Sequence, residues 1–453
     1  MILIERGIVL TMDRNGRIVR DGAIVVEEEK IVAVGRTEDI VKKYGRKDQI
    51  IDAKGKIVIP GLINAHDHSA QTLVKSLPCD LPFPIWDKEY MFEVGKYATP
   101  EDFYYSALLS YAGMLKMGIT SVVDQHFHHE NRKNIDSLAK AMKDIGIRGF
   151  LTFGFQDKAV PEYLVTSSED LRREFDRVYR EWNGKAEKRI EVWIGPAGYG
   201  MCSEEALKVA VDLSKEYKTR MHTHVSATYT AAMSPLWEVE KTEVEYLRNL
   251  EVLGPNTSAV HCVWLTDEDI DILHETRTSV VHSPISNMYL AFGTAPIVKM
   301  MRRGINVALG VDGIASHTPD MFEIMRATAY LHKLHLMSAK AIKAYEILKM
   351  ATINGAKAVG MEDQIGSIEE GKLADLTIID ANKLHMIPYD GTIPAVVYYA
   401  KGSDVDTVIV NGKIVVENGR LTTIDEEKLL EEAEKRIKDL WERGEFEKRP
   451  RVQ

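Results

Sequence analysis

Eight short apolar segments, each followed by a stretch with helical periodicity, occupy the middle of the 453-residue sequence. Their spacing is typical of repeated strand–helix units, in which helices connect parallel strands. Eight such units predict an α/β fold, a TIM-like (β/α)8 barrel whose functional site lies at the C-terminal ends of the strands. In chain order the segments are "GLINAHDH", "GITSVVDQHF", "RGFLTFGF", "IEVWIGPAG", "TRMHTHVS", "SAVHCVWL", "SVVHSPISN" and "NVALGVDG".

Two β-rich segments flank this region. β-branched residues and glycine turn signals fill residues 1–56, and the same pattern returns late in the chain, where Asn411-Gly412 lies between two apolar runs as in a tight hairpin. We therefore expect a small β-sandwich domain built from both chain ends, residues 1–56 and 365–424, around a barrel over residues 57–364. Apolar positions at helical spacing predict a C-terminal helix within residues 425–453.

Charge and cysteine content narrow the possible partners. The net charge of -10 comes without a basic stripe, which argues against nucleic acid as a partner. An uninterrupted apolar run of 18 residues does not occur, so the sequence predicts no membrane span. The three cysteines are widely spaced and odd in number, which favours a reducing, cytoplasmic compartment over a disulfide framework.

Histidine and aspartate residues recur where the predicted strands end. His66 and His68 in "NAHDH" are two positions apart, so they share one face of a strand and can converge on one ion. His224 ends the fifth segment and Asp312 the eighth, and a carboxylate there can also take a proton from water. These four residues predict a site for one divalent metal, with zinc as first choice and iron or manganese as alternatives.

Taken together, five motifs resemble the amidohydrolase superfamily, specifically its aminohydrolase and chlorohydrolase branch, which includes methylthioadenosine/S-adenosylhomocysteine deaminases, guanine deaminases and s-triazine hydrolases. The resemblance covers nearly the whole chain, from the β-rich ends through the motifs "PGLINAHDH", "HTHVS", "HCVWL", "HSPISNMYLAFGTAP" and "VALGVDGIAS". The resemblance implies metal ligation by His66, His68, His224 and Asp312, with His261 beside the metal to hydrogen-bond the substrate. It also implies a homo-oligomer, either a dimer or a tetramer. The fourth strand, "IEVWIGPAGYG", has no lysine that could be carboxylated to bridge a second metal, which supports a single ion.

The activity that this resemblance implies is that of a metal-dependent aminohydrolase. Such an enzyme removes an amino or alkylamino group from a purine, pterin or triazine-like heterocycle. A metal-bound hydroxide would attack the ring carbon, and Asp312 would relay its proton to the departing amine. The alternatives are a chlorohydrolase-type dehalogenating enzyme, and an impaired variant or pseudoenzyme that binds a heterocycle without converting it.

Ala227 is the main departure from the family pattern. The fifth-strand ligand in this family is followed three residues later by a proton-donating glutamate, so "HTHVSA" aligns His224 with the ligand and Ala227 with the glutamate. Proton transfer by a positioned group is worth about 10²–10⁴-fold in rate. The alanine is an introduced substitution, a natural change compensated by Glu238, Glu240 or His222, or a sign that catalysis has been lost.

Contacts to the substrate are predicted for Trp86, Glu93, His261 and His317. Trp86 belongs to an aromatic loop, "LPCDLPFPIWDKEYMFE", that can close over a flat ring. Glu93 falls near a substrate-contacting position of the family. His317 differs from the asparagine common in the family, and Ala197 replaces a histidine of the adenosine-type deaminases. These two departures favour triazine- or pterin-like substrates over a plain methylthioadenosine deaminase.

A further histidine cluster follows the second predicted strand. The motif "DQHFHH" contains His126, His128 and His129, and resembles a metal cluster in composition. Short motifs of this kind often arise without a ligand. We interpret these residues as part of the pocket wall or of the structural core.

Overall fold

The computed structural model describes residues 1–45, 49–390 and 393–450 of the chain. Its strands are β1 (Ile2–Leu10), β2 (Ile18–Glu27), β3 (Lys30–Arg36), β4 (Gln49–Asp52), β5 (Lys56–Pro60), β6 (Leu62–Asp67), β7 (Ile119–His126), β8 (Arg148–Phe155), β9 (Ile190–Pro196), β10 (Met221–Val225), β11 (Thr257–His261), β12 (Ser279–His282), β13 (Val307–Leu309), β14 (Leu376–Asp380), β15 (Val405–Val410), β16 (Lys413–Glu417) and β17 (Arg420–Leu421).

The α-helices are α1 (Thr37–Tyr44), α2 (Phe83–Trp86), α3 (Phe92–Tyr97), α4 (Pro100–Lys116), α5 (Asn134–Ile145), α6 (Ser168–Trp182), α7 (Lys185–Lys188), α8 (Glu204–Tyr217), α9 (Tyr229–Val239), α10 (Glu243–Asn249), α11 (Asp267–Glu275), α12 (Pro284–Tyr289), α13 (Ile297–Arg302), α14 (Met321–His335), α15 (Ala344–Met350), α16 (Ile353–Ala358), α17 (Ile393–Tyr398) and α18 (Glu426–Arg443). A π-helical segment, Asp87–Met91, joins α2 to α3.

Strands β6 to β13 form a nearly closed parallel barrel in which neighbours in sequence are neighbours in space. All eight strands predicted from the apolar segments are present. The seam between the first and last strands is bridged by the backbone N–H groups of Val311 and Asp312, which donate to the carbonyl of His66 at 3.1 and 2.9 Å. Gly310 allows this approach, since a Cβ there would lie 2.9 Å from the Cβ of His66.

Apolar side chains fill the N-terminal end of the barrel. Ile63, Val123, Phe150 and Trp193 come from four successive strands and pack in one buried cluster with residues from α16 and the segment after it. Since the lumen is filled at this end, a ligand can enter only from the opposite end, where the strands terminate. This is the arrangement expected of the fold.

The second sheet combines both chain ends, as the sequence predicts. It is a nine-stranded mixed sheet in the order β17-β16-β15-β14-β5-β1-β2-β3, with β4 paired to β1. The junction between the two ends is the antiparallel pair β5 and β14, in which Lys56 lies opposite Asp380. Separate apolar clusters cover its faces, and Ile40 of α1 packs into one of them.

Helix α18 lies against α4. It buries Leu429, Ala433 and Leu440, while most of its charged side chains face solvent. In the described ranges of the chain, none of the helices combines the length and the apolar character needed to cross a bilayer.

A buried ion pair connects the barrel to the second sheet. Arg148, at the start of β8, donates to Asp375 through Nε at 2.8 Å and through Nη2 at 3.1 Å. Both side chains are only 2% exposed. Arg148 also donates to Asn411, whose backbone N–H donates to Asp375 at 2.7 Å, so the carboxylate has partners from both parts of the molecule.

We expect Arg148→Met to destabilise the fold strongly. The substitution leaves the carboxylate of Asp375 buried without its cation, which costs about 3–5 kcal/mol of the free energy of unfolding. A matched control is Arg172→Met, because the pair of Arg172 with Asp212 is solvent-exposed (45% and 62%) and should change stability by about 1 kcal/mol or less. Thermal unfolding midpoints measure both effects. Equal midpoints for the two variants would show that the buried pair does not hold the two parts together.

Candidate metal centre and active site

Four histidines and one aspartate converge at the C-terminal end of the barrel. His66 lies on β6, His224 on β10 and His261 on β11. His68 directly follows β6, and Asp312 lies three residues after the end of β13. The ring centroid of His66 lies 4.6 Å from that of His68, 5.1 Å from that of His224 and 5.9 Å from that of His261. Residues far apart in sequence thus meet because parallel strands end at one rim.

The nitrogen and oxygen atoms of this cluster are spaced as metal ligands are. Oδ1 of Asp312 lies 3.1 Å from Nε2 of His66 and 3.7 Å from Nε2 of His68. Nε2 of His66 is fully buried, and among the described residues it makes no well-aligned hydrogen bond, although Oδ1 of Asp312 lies close to it. Ligand atoms around a tetrahedral zinc ion lie roughly 3.3 Å apart, given bond lengths of about 2.0–2.1 Å. The donor set therefore fits a divalent ion.

Two further observations support this fit. The candidate ligand atoms of His66, His68 and His224 all lie within 4.8 Å of one another, as do those of His66, His261 and Asp312. His66 belongs to both groups, so the two sets share one centre.

The second ring nitrogen of each histidine is occupied by the protein. Nδ1 of His68 lies 2.8 Å from the carbonyl oxygen of Gln125, and Nδ1 of His224 lies 3.1 Å from the carbonyl oxygen of Ala197. A carbonyl can only accept, so each Nδ1 carries the proton and each Nε2 presents a lone pair. Such contacts fix the tautomer and the direction of metal-binding histidines.

His222 lies beneath the cluster and not in it. Its Nε2 is 2.8 Å from Nδ1 of His66, and its Nδ1 is 2.6 Å from Oγ of Ser258. Both ring nitrogens are therefore engaged, and the side chain is fully buried. This geometry makes His222 a support for His66, which leaves it unable to stand in for a glutamate at position 227.

Protonation states in the cluster suit a cation. Burial lowers the pKa of His66 to about 4, which outweighs the raising effect of Asp312. Burial also lowers the pKa of His224 well below its ordinary value. Burial of Asp312 works against its ionisation, but the neighbouring histidines, His66 above all, hold its pKa well below the usual range. At neutral pH His66 and His224 are thus neutral imidazoles and Asp312 is a carboxylate, the forms that bind metals.

Some of the strained backbone positions of the chain lie at the same rim. Asp312, His261 and Ser226 have φ values of 70°, 69° and 47°, in the left-handed region that side-chain-bearing residues rarely adopt. Each such residue costs about 1–2 kcal/mol. Strain of this kind persists where the surrounding structure holds a functional geometry in place.

A cavity of about 290 Å³ opens above the cluster. Its walls include the aromatic side chains of Trp86, Phe92, Phe127 and Phe292, and its polar groups include His68, His224, His261 and Asp312. The volume is near the lower end of the range of about 300–1,000 Å³ found for ligand sites. The cavity therefore suits a small, flat and largely apolar molecule.

Two of the four predicted substrate contacts line the cavity, and two do not. Trp86 and His261 line the cavity. Glu93 is not among the lining residues, and its carboxylate accepts from Tyr163 at 2.8 Å and from Arg449 at 3.1 Å. His317 is exposed and packs edge-on against Tyr289, outside the lining set.

The three histidines of "DQHFHH", one at the end of β7 and two after it, also have different surroundings. His128 lines the cavity. Nε2 of His126 lies 2.9 Å from the carbonyl oxygen of His128, and Nε2 of His129 lies 2.7 Å from that of Gly154. One histidine thus belongs to the pocket wall, and two have structural hydrogen bonds.

Ala227 lines the cavity, and the acidic residues proposed from the sequence to replace its missing carboxyl do not. Glu238 accepts from Tyr199 Oη at 2.9 Å and has a side chain that is 51% exposed. Glu240 is exposed beyond the end of α9.

A carboxyl that the sequence reasoning missed does line the cavity near Ala227. Glu243 is only 3% exposed, and its Oε2 accepts from the backbone N–H of Ser226 at 2.6 Å. In sequence it follows Thr242, which starts α10 in a capping box with Glu245. An acidic residue in a first helical turn is ordinary, so the sequence offers no signal that separates Glu243 from its neighbours.

Comparison with known proteins agrees with this geometry. The model of the amidohydrolase family matches residues 57–415.

The chain belongs to the amidohydrolase family.

Members with curated names are similar over almost the full length. A 5-methylthioadenosine/S-adenosylhomocysteine deaminase of Thermoanaerobacter pseudethanolicus is 39% identical over 98% of this chain and 100% of its own. A 5'-deoxyadenosine deaminase of Methanosarcina mazei is 38% identical over 97% of this chain and 98% of its own. Among solved structures, a zinc-bound adenosine deaminase from Xanthomonas campestris superposes with a TM-score of 0.91 at 27% identity, covering 97% and 98% of the two chains.

These matches confirm the predicted family and the predicted class of enzyme. The relatives are named deaminases, which are hydrolases of carbon–nitrogen bonds other than peptide bonds. The family resemblance also supports a divalent metal in the cluster, since the superposed adenosine deaminase contains zinc.

We expect purified protein to carry about one equivalent of divalent metal, and His68→Ala to lose most of it. Removing a ligand should weaken metal binding by at least about 100-fold, the upper range for loss of supporting contacts around a metal. Elemental analysis after dialysis measures the content. The matched control is His335→Ala, because His335 lies exposed on α14. Equal metal content in the two variants would contradict the proposed centre.

Proposed function

We propose that the chain is a metal-dependent deaminase that replaces the exocyclic amine of an adenosine-type nucleoside by oxygen. The observation that carries this proposal is the convergence of His66, His68, His224, His261 and Asp312 at the floor of a cavity with aromatic walls. The names of the relatives support the substrate class. The triazine- and pterin-like substrates favoured by Ala197 and His317 are the less supported choice.

The proposed ligands are His66, His68, His224 and Asp312, and the proposed ion is zinc. Imidazoles and carboxylates are the ligand types found in catalytic zinc sites. When bound, such an ion would supply Lewis acidity, which makes water a competent nucleophile at neutral pH.

Asp312 is proposed to carry the first proton. Oδ1 faces His66 and His68, while Oδ2 accepts a hydrogen bond from Oγ of Ser286 and lies 3.8 Å from Nε2 of His261. One oxygen thus faces His66 and His68, and the other faces Ser286 and His261. A carboxylate held in this way can take a proton from the attacking water and return it to the departing amine.

His261 is proposed to orient the substrate. Its Nδ1 lies 2.8 Å from Oδ1 of Asn287, which fixes the ring with Nε2 directed into the cluster. It lines the cavity together with Phe292, whose ring packs edge-on at 5.5 Å. Burial lowers the pKa of His261, so the ring is neutral near pH 7 and acts through a hydrogen bond.

The aromatic walls are proposed to hold the flat ring of the substrate. Trp86 and Phe83 stack at 6.0 Å on the helical segment that covers the cavity, and Phe83 contacts Phe292 at 5.1 Å. Aromatic surfaces of this kind favour planar ligands and exclude water.

A second candidate is a hydrolase whose leaving group needs no proton, such as chloride. Ala227 favours it, because the family position for the proton donor is an alanine. The same observation favours a pseudoenzyme that binds a heterocycle without converting it. Product analysis separates the three.

The cellular compartment and the oligomeric state are also proposals. The three cysteines are free thiols, which supports a reducing compartment such as the cytoplasm. A homo-oligomer, as a dimer or a tetramer, is proposed from the family resemblance alone.

We expect zinc-loaded protein to release ammonia from adenosine, 5'-deoxyadenosine and methylthioadenosine. A chlorotriazine should release little chloride in a parallel assay. Ammonia and chloride are measured separately, and guanine and a pterin complete the panel. Chloride release without ammonia would favour the second candidate. Retention of a nucleoside in equilibrium dialysis with neither product would identify a pseudoenzyme.

A further inference from the structure

In the cavity wall beside His224, position 227 lacks the proton donor that deamination requires. As the ring carbon is attacked, the adjacent ring nitrogen gains an electron pair and must take a proton. The methyl group of Ala227 cannot donate one. The reaction under the proposed function therefore needs a proton carrier from another part of the chain.

Three carboxyl groups line the cavity within the described ranges, those of Asp87, Glu243 and Asp312. Asp312 belongs to the ligand cluster. Asp87 lies in the π-helical segment between α2 and α3, where burial raises its pKa to about 7 and His128 acts in the opposite direction. Glu243 lies on the same side of the cavity as Ala227, because its carboxylate accepts hydrogen bonds from Ser226, the residue that precedes Ala227.

Glu243 is held rigidly in this place. Oε2 accepts from the backbone N–H of Ser226 at 2.6 Å and from its Oγ at 3.2 Å, and Oε1 accepts from the backbone N–H of Tyr199 at 3.2 Å. These bonds join the ends of β9 and β10. A Cβ on Gly198 would lie 3.1 Å from the carbonyl of His224 and 3.7 Å from Oε1 of Glu243, which places the carboxyl next to this candidate ligand's backbone.

The surroundings of Glu243 also suit a group that exchanges protons near neutrality. Burial raises its pKa to about 7, although the N–H groups of Ser226 and Tyr199 act in the opposite direction. The negative charge of Asp269, on α11, raises it further. A catalytic acid works best with a pKa close to the working pH.

We propose that Glu243, carried by α10, supplies the proton that position 227 does not. This inference rests on the proposed function. The oxygen of water bonds to the carbon that bears the amine, and the electron pair of the C=N bond moves to the ring nitrogen, which takes the proton of Glu243. Asp312 holds the first proton of the water.

The second half of the reaction restores both groups. The carboxylate of Glu243 takes the proton of the newly added hydroxyl as the C=O bond forms. The bond to the amine breaks with its electron pair, and the amine leaves as ammonia with the proton held by Asp312. Water and the amidine are thus converted to a lactam and ammonia, with both carboxyl groups in their starting states.

The alternative is that Glu243 only joins two loops. Both roles predict some loss of activity on substitution, so a single variant does not separate them. They differ in whether a carboxyl at position 227 restores the rate, because a carboxyl there would replace a proton carrier but not a loop contact.

The experiment compares wild-type protein with Glu243→Gln, Ala227→Glu and the double variant, using ammonia release from 5'-deoxyadenosine. Glu243→Gln should lower kcat by about 10²–10⁴-fold and change KM only a few-fold. Adding Ala227→Glu to this background should restore at least about tenfold. Glu240→Gln serves as a matched control without effect, since Glu240 is exposed. Circular dichroism and metal content show that each variant is folded and loaded.

Several outcomes would overturn the proposal. A kcat for Glu243→Gln within about threefold of wild type would do so, as would a folded, metal-loaded double variant without recovery. Loss of kcat in Asp87→Asn that Ala227→Glu restores would assign the proton to Asp87 instead. Should Glu243→Gln fail to fold, Glu243→Asp takes its place. A wild-type protein that releases no ammonia from any nucleoside would overturn the proposed function itself, which distinguishes the two failures.

Discussion

The barrel closes through residues that also form its candidate metal centre. The carbonyl of His66 accepts hydrogen bonds from the backbone of Val311 and Asp312 across the seam, and the side chain of Asn64 accepts from Val311 at 2.8 Å. The imidazole of His66 and the carboxylate of Asp312 are therefore brought together by strand pairing. A change that opens the seam would separate these two groups. The closure of the barrel and the geometry of the site therefore depend on the same hydrogen bonds.

Much of this arrangement could be predicted from the sequence because it follows from periodicity and direction. Apolar segments separated by helices predict the strands, and parallel strands all end at one rim. A histidine or aspartate at a strand end, such as His224 or Asp312, must then lie at that rim. The family motifs align individual residues with the family's ligand positions. This alignment identifies His224, and not His222, as the group that faces the cavity.

Contacts made by loops could not be predicted in this way. Glu93 pairs with Arg449, which is distant in sequence, and this pairing withdraws it from the cavity. Glu243 reaches the cavity because it is the first residue of α10, after the N-cap Thr242, and its carboxylate accepts from Ser226. Such contacts depend on where a helix begins and on how a loop packs, and neither leaves a periodic signal in the sequence. Glu238 and Glu240 are closer to Ala227 in sequence than Glu243 is. Glu238 lies at the exposed end of α9, and Glu240 lies just beyond it.

The second sheet has a consequence for the order in which the molecule assembles during synthesis. Strand β5 pairs with β14, so strands β1 to β5 wait for residues 376–380 before their sheet is complete. At about 5–20 residues per second, this delay is on the order of tens of seconds. The barrel can form within that interval, whereas the apolar strands near the N-terminus keep an unpaired edge. Arg148 of the barrel then offers a cationic partner for the arriving Asp375, and the pair is buried in the complete fold.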